Sequence, residues 1–265
     1  MRIALGLEYD GTAYNGWQRQ RIGEGIQARV EEALTRVANE PVEVVCAGRT
    51  DTGVHASGQV VHFDTSSERG NRGWLLGTNS NLPDDISVTW AHSVDDSFHA
   101  RFSATARSYH YLILNRLERS ALYRDRAWWV YDPLDAERMH IAAQDFLGKH
   151  DFSAFRAAGC QASTPNREIT SIAVTSVGEW IQLEVTANAF LQRMVRNITG
   201  TLVAIGRGDE SQDRVTAVLE SRDRTKGGAA APPHGLTLVK VDYPDEFELP
   251  PNPNDRSLER FLNRD

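Results

Sequence analysis

Two short apolar runs flank a loop that is rich in reactive side chains. Val42 to Cys46 and Gln59 to Asp64 carry β-branched residues in the pattern of strands. Between them, Gly48 to His55 contains a guanidinium, a carboxylate, an imidazole and two glycines. Because glycine accepts backbone angles that other residues avoid, this segment is expected to form a tight loop with its side chains turned outward. Its length and composition indicate a functional site rather than a simple hairpin turn.

Length and composition bound the class of protein. With 265 residues, 40% hydrophobic and 25% charged, the chain can form two packed halves or one large domain of a globular protein. No apolar run approaches the roughly 18 residues that span a bilayer, and Glu8 and Asp10 interrupt the N-terminus before a signal peptide can form. Only two cysteines are present, Cys46 and Cys160, which excludes a disulfide scaffold. We therefore expect a reduced, cytoplasmic protein with no membrane association.

The distribution of charge is more informative than the net charge of −7, which by itself argues against nucleic acid. Three stretches hold arginines and no acids: between Asp96 and Glu118, between Asp151 and Glu168, and between Glu184 and Asp209. A phosphate backbone responds to the local field, within about 8–10 Å at physiological salt, so such stretches can bind RNA. They also occur on helices that merely face solvent, so the pattern permits RNA binding without proving it.

No metal or cofactor site is expected. The eight histidines form no His-x-x-x-His or Cys/His cluster, and the chain contains no P-loop and no Gly-x-Gly-x-x-Gly segment. The reaction that this chain supports is therefore expected to rely on its own side chains.

Two stretches join basic and aromatic residues, the combination that RNA recognition uses. In Tyr14 to Gln20 the aromatic rings can stack on bases or cap the edge of a core, and composition favours neither role. In Phe98 to Tyr111, the part from Arg107 onward is predicted to be a strand, with Tyr109 and Tyr111 on one face. A tyrosine on a strand is usually part of the core, so the residues alone leave both roles open.

Apolar periodicity predicts the remaining elements. Arg2 to Tyr9 alternates as a half-buried strand, and Ile26 to Ala38 has the spacing of an amphipathic helix. Further helices are predicted over residues 74–82, over 134–147 and from about 188 to 205. Further strands are predicted over 86–92, 169–177, 180–186 and 234–241. Residues 116–134 are predicted to form an irregular connector. Arg196 lies close to the buried face of the last helix, where an arginine is costly unless it is paired or reaches water.

The segment Gly48 to Ala56 resembles the signature loop of the tRNA pseudouridine synthase A family, with Thr52 where that family has alanine. The resemblance covers nearly the whole chain, from Arg2 to about Tyr243. It implies an α+β pseudouridine synthase fold in which two similar halves share a central antiparallel or mixed sheet with helices on one side. We assign residues 1–103 to the N-terminal half, 104–245 to the C-terminal half and 246–265 to a loosely attached tail.

The resemblance also implies the roles of individual residues. Asp51 is the nucleophile, Arg196 is its charged partner, and Tyr109 stacks on the target uracil and is a candidate for proton transfer. Arg49 and Arg69 hold the target nucleotide out of its stack. Contacts with tRNA are expected from Phe98, His99, Ala100, Arg101, Phe102, Arg107, Gly159, Cys160, Gln161, Ala162 and Ser163.

These roles describe an isomerase that converts uridine to pseudouridine at positions 38, 39 and 40 of the tRNA anticodon stem-loop, acting as a homodimer and without a metal or cofactor. An aspartate is ionised at neutral pH and can attack without an activating base. Whether Asp51 bonds to C6 of the uracil or C1′ of the ribose stays open. A non-catalytic RNA-binding module has no need of the loop from Gly48 to His55, and a carboxylate-nucleophile hydrolase would need a second acid, which no Asp-x-Asp supplies.

Overall fold

The computed structural model describes residues 1–20 and 23–253, which form two compact units. Among the described residues, unit 1 contains residues 1–20, 23–105 and 238–253, and unit 2 contains residues 106–237. The boundary thus falls between residues 105 and 106, close to the predicted division between 103 and 104. The structure differs from the prediction in assigning residues 238–245 to the first unit.

Unit 1 is a sheet with two helices. Its strands are β1 (Arg2–Tyr9), β2 (Val45–Cys46), β3 (His55–Asp64), β4 (Ile86–Val94) and, from the end of the chain, β10 (Leu236–Asp242); its helices are α1 (Ile26–Ala38) and α2 (Asn71–Asn79). The strand order is β4-β1-β3-β10, with β2 paired to β3, and β1 runs antiparallel to both of its neighbours. The place of β10 beside β3 explains why residues after 237 belong to unit 1.

The two helices of unit 1 cover one face of its sheet. Ile3 lies opposite Phe63 in the β1–β3 pair, and the Phe63 ring meets Trp74 of α2 with the ring centroids 5.2 Å apart. Val37 of α1 contacts Gly77 of α2. The apolar stripe predicted for α1 is buried, and the helix has the predicted bounds, because its periodic residues face this layer.

The second face of the unit 1 sheet is covered by residues that follow β10. The Phe98 ring lies 5.1 Å from both Tyr243 and Phe247, measured between ring centroids. The Asn252 side chain donates to the Val239 carbonyl over 2.8 Å. The expectation of a loosely attached tail from residue 246 therefore does not hold for 246–253, which pack on the sheet; residues 254–265 lie outside the described residues.

Unit 2 is an antiparallel sheet with three helices among its described residues. Its strands are β5 (Ala106–Asn115), β6 (Trp128–Val130), β7 (Gly148–Asp151), β8 (Asn166–Val177) and β9 (Trp180–Ala187); its helices are α3 (Ala136–Ala143), α4 (Met194–Arg207) and α5 (Arg214–Ser221). The order is β5-β9-β8-β7, all antiparallel, and the short β6 pairs in parallel with β5. The predicted hairpin is confirmed: β8 and β9 are joined through Gly178, whose φ of 59° suits glycine.

Three predictions for unit 2 need correction. The connector expected to be irregular contains β6, because Trp128 to Val130 finds pairing partners on β5. The last long helix begins at Met194 and not near residue 188, because Arg193 adopts a left-handed conformation with φ 63°. The predicted helix over 134–147 is α3 followed by a single 3₁₀ turn, Gln144–Phe146.

Both units combine helices with a largely antiparallel sheet, which confirms the α+β class. Across residues 1–20 and 23–253, no helix has the length and apolar character needed to cross a membrane.

Candidate active site

The loop that holds Asp51 connects β2 to the start of β3, the strand that lies between β1 and β10 in the unit 1 sheet. β2 ends at Cys46 and β3 begins at His55, so the loop covers residues 47–54, and His55, which was predicted to lie in the loop, belongs to a strand. Within the loop, Thr50 is buried, Asp51 is partly exposed, and Arg49 is exposed. The loop therefore buries its framework and displays the two charged residues that the sequence singled out.

A buried polar network fixes the first half of the loop. The hydroxyl groups of Tyr9 and Thr50 are 2.8 Å apart and share a hydrogen bond. The Gln59 side chain donates to the Gly48 carbonyl over 2.7 Å and to the Tyr9 hydroxyl over 3.3 Å. Because these groups are buried, losing any one of them leaves a partner unsatisfied, which costs about 1–3 kcal/mol. The backbone on either side of Arg49 is thus held from β1 and β3.

The segment after β1 supports the loop from its other side. The Trp17 amide donates to the Thr50 carbonyl over 3.0 Å, and Gly53 donates to the Tyr14 carbonyl over 3.4 Å. Gly16, with φ 89°, lies so close that a Cβ there would sit 2.7 Å from the Thr50 oxygen. Composition left two roles open for the aromatic rings of this segment, stacking on bases or capping the edge of a core. The segment packs against the Asp51 loop, which is a structural role of the second kind.

A tight turn completes the loop at Asp51. The Val54 amide donates to the Asp51 carbonyl over 3.1 Å, and Gly53 has φ 75°, a conformation that costs other residues about 1–2 kcal/mol. Thr52 is exposed at the outside of this turn. Its hydroxyl, the one departure from the family pattern, therefore points away from the buried framework.

Helix α1 reaches the same site through a buried acid that sequence analysis missed. Glu31 is only 3% exposed, and its carboxylate accepts from the Val44 amide over 3.0 Å and from Gln27 over 2.9 Å. It also pairs with Arg19. Glu31 thus ties α1 to the run that enters β2 and to the segment after Trp17. The sequence signal that could have identified Glu31 is its position next to Val30, at the border of the apolar stripe of α1.

The charges of Arg49 and Arg101 both act on the Cys46 thiol. Burial raises the pKa of Cys46 to about 11, and the positive charges of Arg49 and Arg101 oppose that rise. Both arginines are exposed. Unit 1 therefore brings two positive side chains, which are 52 positions apart in the sequence, to the surroundings of the Cys46 thiol.

The predicted tRNA-binding segment from Phe98 to Phe102 divides into buried and exposed residues. Phe98 and Ala100 are fully buried in unit 1, so their side chains support the segment from within and offer no surface to RNA. Phe102 is 75% exposed, and the Arg101 guanidinium lies over its ring at 5.5 Å. The exposed members of this segment are a cation and an aromatic ring, the pair that RNA contacts require.

Arg69 lies just before α2 and is exposed. Its guanidinium donates to the neighbouring Glu68 carbonyl over 3.5 Å, a long and weak hydrogen bond.

In unit 2, Tyr109 lies on β5 with only 8% of its surface exposed. Its ring meets Phe190 edge to face, with the centroids 5.1 Å apart. Arg107, also on β5, is buried and donates to the Asn188 carbonyl over 3.0 Å, which ties β5 to the segment before α4. Sequence analysis missed Phe190 because it placed this residue inside a helix.

The segment before α4 also anchors the other predicted tRNA-binding loop. Ala157 donates to the Gln192 carbonyl over 3.0 Å, which fixes the base of the loop from Gly159 to Ser163. Gly159, Gln161 and Ser163 are exposed. Residues 188–192 therefore position both Tyr109 and this loop.

Arg196 lies in the first turn of α4 and is partly exposed. Its Nε donates to the Ala231 carbonyl over 2.7 Å, and the Ala231 amide donates back to the Arg196 carbonyl over 2.9 Å. This reciprocal pair fixes the direction of the guanidinium. Among residues 1–20 and 23–253, no three His, Cys, Asp or Glu side chains are grouped in a way that could hold a metal ion.

Comparison with known proteins identifies close relatives. A family model described as tRNA pseudouridine synthase matches residues 7–103 and 142–244. A tRNA pseudouridine synthase A from Pseudoalteromonas atlantica (strain T6c / ATCC BAA-1087) is 57% identical over 250 residues, which cover 94% of this chain and 95% of that protein. A protein with the same name from Coxiella burnetii (strain Dugway 5J108-111) is 52% identical over 252 residues, which cover 95% of this chain and 97% of that protein. Another from Shewanella piezotolerans (strain WP3 / JCM 13877) is 53% identical over 250 residues, which cover 94% of this chain and 96% of that protein.

Proposed function

This chain belongs to the tRNA pseudouridine synthase family, an isomerase family, and we propose that it converts uridine to pseudouridine at positions 38, 39 and 40 of the tRNA anticodon stem-loop. The observation that carries the proposal is the Asp51 loop, whose buried framework holds the backbone on both sides of Asp51 while the Asp51 residue stays partly exposed. A site held in this way meets the geometric demand of covalent catalysis, in which the nucleophile must already be aligned with its target.

Asp51 is the proposed nucleophile. Its carboxylate bonds to the nucleoside, and the N1–C1′ bond breaks, in the same step if the attack is at C1′ and in the following step if it is at C6. The freed uracil turns and C5 bonds to C1′; the bond to Asp51 breaks and the carboxylate is restored. The C5 proton leaves and N1 takes up a proton. Product and substrate are isomers, so the atoms balance without an oxidant, reductant or other co-reactant. Arg196 stabilises the charged carboxylate in this scheme, since a guanidinium favours the ionised form of a nearby acid.

The target uridine must leave its stack before it can react, at a cost of a few kcal/mol. We assign the filling of the vacated space to Arg49, assisted by Arg69; both guanidiniums are exposed on unit 1. Tyr109 stacks on the extruded uracil, an interaction worth about 1–3 kcal/mol. The edge-to-face contact with Phe190 supports this role because it limits rotation of the tyrosine ring.

Contacts with the rest of the tRNA are assigned to exposed cations and loops. Arg101 binds a backbone phosphate beside Phe102, and the loop from Gly159 to Ser163 contacts RNA from unit 2. A contact from Arg107 stays a prediction, since its guanidinium already binds the Asn188 carbonyl. We further propose a cytosolic homodimer in which one tRNA contacts both subunits; a monomer mass in light scattering at working concentration would contradict the dimer.

Tritium release tests the chemistry directly. A tRNA transcript labelled at uridine C5 loses tritium only if the C5 proton is removed. Wild-type protein should release tritium, Asp51→Asn should release none while binding tRNA with similar affinity, and Thr52→Ala should match wild type because the Thr52 side chain is exposed. Turnover by Asp51→Asn would remove Asp51 from the mechanism.

The same assay tests the position of the target and the rival function. A transcript with cytidine at 38, 39 and 40 should release no tritium, and continued release would place the target elsewhere. Binding of tRNA without release from any transcript would identify a non-catalytic RNA-binding protein.

A further inference from the structure

Two imidazoles accept the three consecutive backbone amides that begin at Ala100. The Ala100 amide donates to Nδ1 of His62 over 3.1 Å. The Arg101 and Phe102 amides both donate to Nδ1 of His99, each over 3.2 Å. The backbone that presents Arg101 and Phe102 is therefore held by two ring nitrogens that act as acceptors.

The rings also contact one another, in tilted arrangements. The centroid of the His99 ring is 4.8 Å from that of His62 and 4.3 Å from that of Phe102. A reciprocal turn closes the segment: the His99 amide donates to the Ser103 hydroxyl over 3.0 Å, and the Ser103 amide donates to the His99 carbonyl over 2.9 Å. The exposed residues thus sit on a rigid base and not on a mobile loop.

A nitrogen that accepts a hydrogen bond must carry a lone pair, so Nδ1 of each histidine is unprotonated here. The charges around the rings agree with this state. Burial lowers the pKa of both histidines, and Arg2, on the neighbouring β1, lowers them further; Asp64 opposes the effect at His62, and Arg101 adds to it at His99. Both imidazoles are therefore neutral acceptors at neutral pH.

We propose that His62 and His99 are positioning residues that set Arg101 and Phe102 for tRNA, with His99 acting through Nδ1 on the backbone and not through contact with RNA. The inference rests on the proposed function, in which Arg101 binds a phosphate. It assigns a role to His62, which no sequence signal marked, and replaces direct RNA contact as the role of His99.

A positioning role makes a specific prediction about which step fails. If the backbone at 100–102 relaxes, Arg101 no longer meets its phosphate, so tRNA affinity and its salt dependence fall together. The reaction at Asp51 is unaffected once tRNA is saturating. The KM for tRNA should rise and kcat should stay within about twofold of wild type.

Two substitutions separate the acceptor from the ring. His99→Phe keeps an aromatic ring and removes the acceptor; His99→Asn removes the ring and places an oxygen near the position of Nδ1. Arg101→Ala serves as the reference, and is expected to weaken tRNA binding about tenfold and to reduce the slope of log affinity against log salt by about 1. His99→Phe should reproduce both changes, and His99→Asn should stay within about threefold of wild type.

The outcomes distinguish failure of this inference from failure of the proposed phosphate contact. If Arg101→Ala leaves affinity and salt slope unchanged, the phosphate contact is wrong. If Arg101→Ala has its expected effect but His99→Phe binds like wild type, or His99→Asn loses as much as His99→Phe, the positioning role is overturned. Should His99→Phe fail to fold, as judged by its melting transition, the same pair of substitutions at His62 decides by the same criteria.

Discussion

Gly16 determines how closely the backbone of the Asp51 loop can be approached. Its φ of 89° lies in a region that costs other residues about 1–2 kcal/mol, and a Cβ there would lie 2.7 Å from the Thr50 carbonyl oxygen. Gly16→Ala is therefore expected to lower the free energy of unfolding by about 2 kcal/mol and to shift Asp51, which reduces kcat by more than tenfold. Chemical denaturation and single-turnover tritium release measure the two effects.

Gly73→Ala is the matched control for this substitution. Gly73 is exposed within α2, and a Cβ there would meet only Arg69 Cβ at 3.7 Å, an ordinary contact. Alanine is favoured over glycine in a helix by about 1 kcal/mol, so this variant should be as stable as wild type or more stable. Equal activity of both variants would show that the close approach at Gly16 does not control Asp51.

Single residues also show what sequence could and could not reveal about the site. The loop with Asp51 and Arg49 was singled out because it gathers a guanidinium, a carboxylate and an imidazole between two strands; the roles of the two residues stay predictions. Gln59 and Glu31 were not singled out, because their roles depend on partners that only folding brings near. Gln59, on β3, donates to the Gly48 carbonyl, and Glu31, on α1, accepts from the Val44 amide. Chemistry carried by one local segment is readable, whereas its support from distant segments is not.

At the scale of elements, α1 acts as a brace for the loop as well as a cover for the sheet. Glu31→Gln would place an amide where a carboxylate now accepts from Val44, Gln27 and Arg19. The amide oxygen can still accept from Val44 and Gln27, which share one oxygen of the carboxylate, but an amide nitrogen then replaces the oxygen that pairs with Arg19. The buried amide N–H group faces a guanidinium and lacks an acceptor there, so we expect stability to fall by about 1–3 kcal/mol. Thermal melting and the kcat of tritium release should both decrease.

Glu32 provides the comparison within the same helix turn. Its carboxylate is 48% exposed and pairs with Arg29 and Arg36 on the helix surface. Exposed pairs contribute about 0–1 kcal/mol, so Glu32→Gln should change stability by no more than about 0.5 kcal/mol. Similar losses in the two variants would mean that α1 supports the loop only through its helical structure.

Helices and strands were predictable where the apolar periodicity agreed with the residues that begin or end such elements. α1 and the β8–β9 hairpin follow their apolar patterns between clear breakers, and both have the predicted positions. The start of α4 was misplaced because Phe190 continues the apolar pattern although Arg193 turns into the left-handed region. The short strands β6 and β7 form because neighbours pair with them, which is information that three or four residues do not carry.

At the scale of the whole molecule, the chain returns to the unit in which it began. Tyr243 and Phe247 pack on Phe98, and the Tyr243 hydroxyl donates to the Ala100 carbonyl over 2.6 Å. The segment that displays Arg101 is thus supported by a residue far along the chain, since Ala100 and Tyr243 are 143 positions apart. Residues 1–105 alone lack this layer, so the surface of unit 1 that carries Arg101 depends on residues 238–253.

The dependence of stability on pH below neutrality follows in part from three histidines whose pKa the fold lowers. Burial lowers the pKa of His62 to about 4 and lowers the pKa of His99 and of His234, which lies in unit 2. In the unfolded chain a histidine has a pKa of about 6.5. As pH falls between about 6.5 and 4, the unfolded chain therefore binds protons that the folded protein does not, and the free energy of unfolding falls.

His62→Asn tests this dependence because asparagine can accept from the Ala100 amide and does not titrate. Wild-type protein should lose up to about 3 kcal/mol of stability between pH 6.5 and 4 through His62, and the variant should show a flatter curve over that range. Below pH 4 the two curves should run parallel: hydrogen bonds, chiefly from Ser66 and Thr65, lower the pKa of Glu40 to about 2, and its protonation destabilises both proteins alike. Urea unfolding at half-unit pH intervals measures both ranges. An equally steep loss in the variant above pH 4 would mean that His62 does not control the acid sensitivity of unit 1.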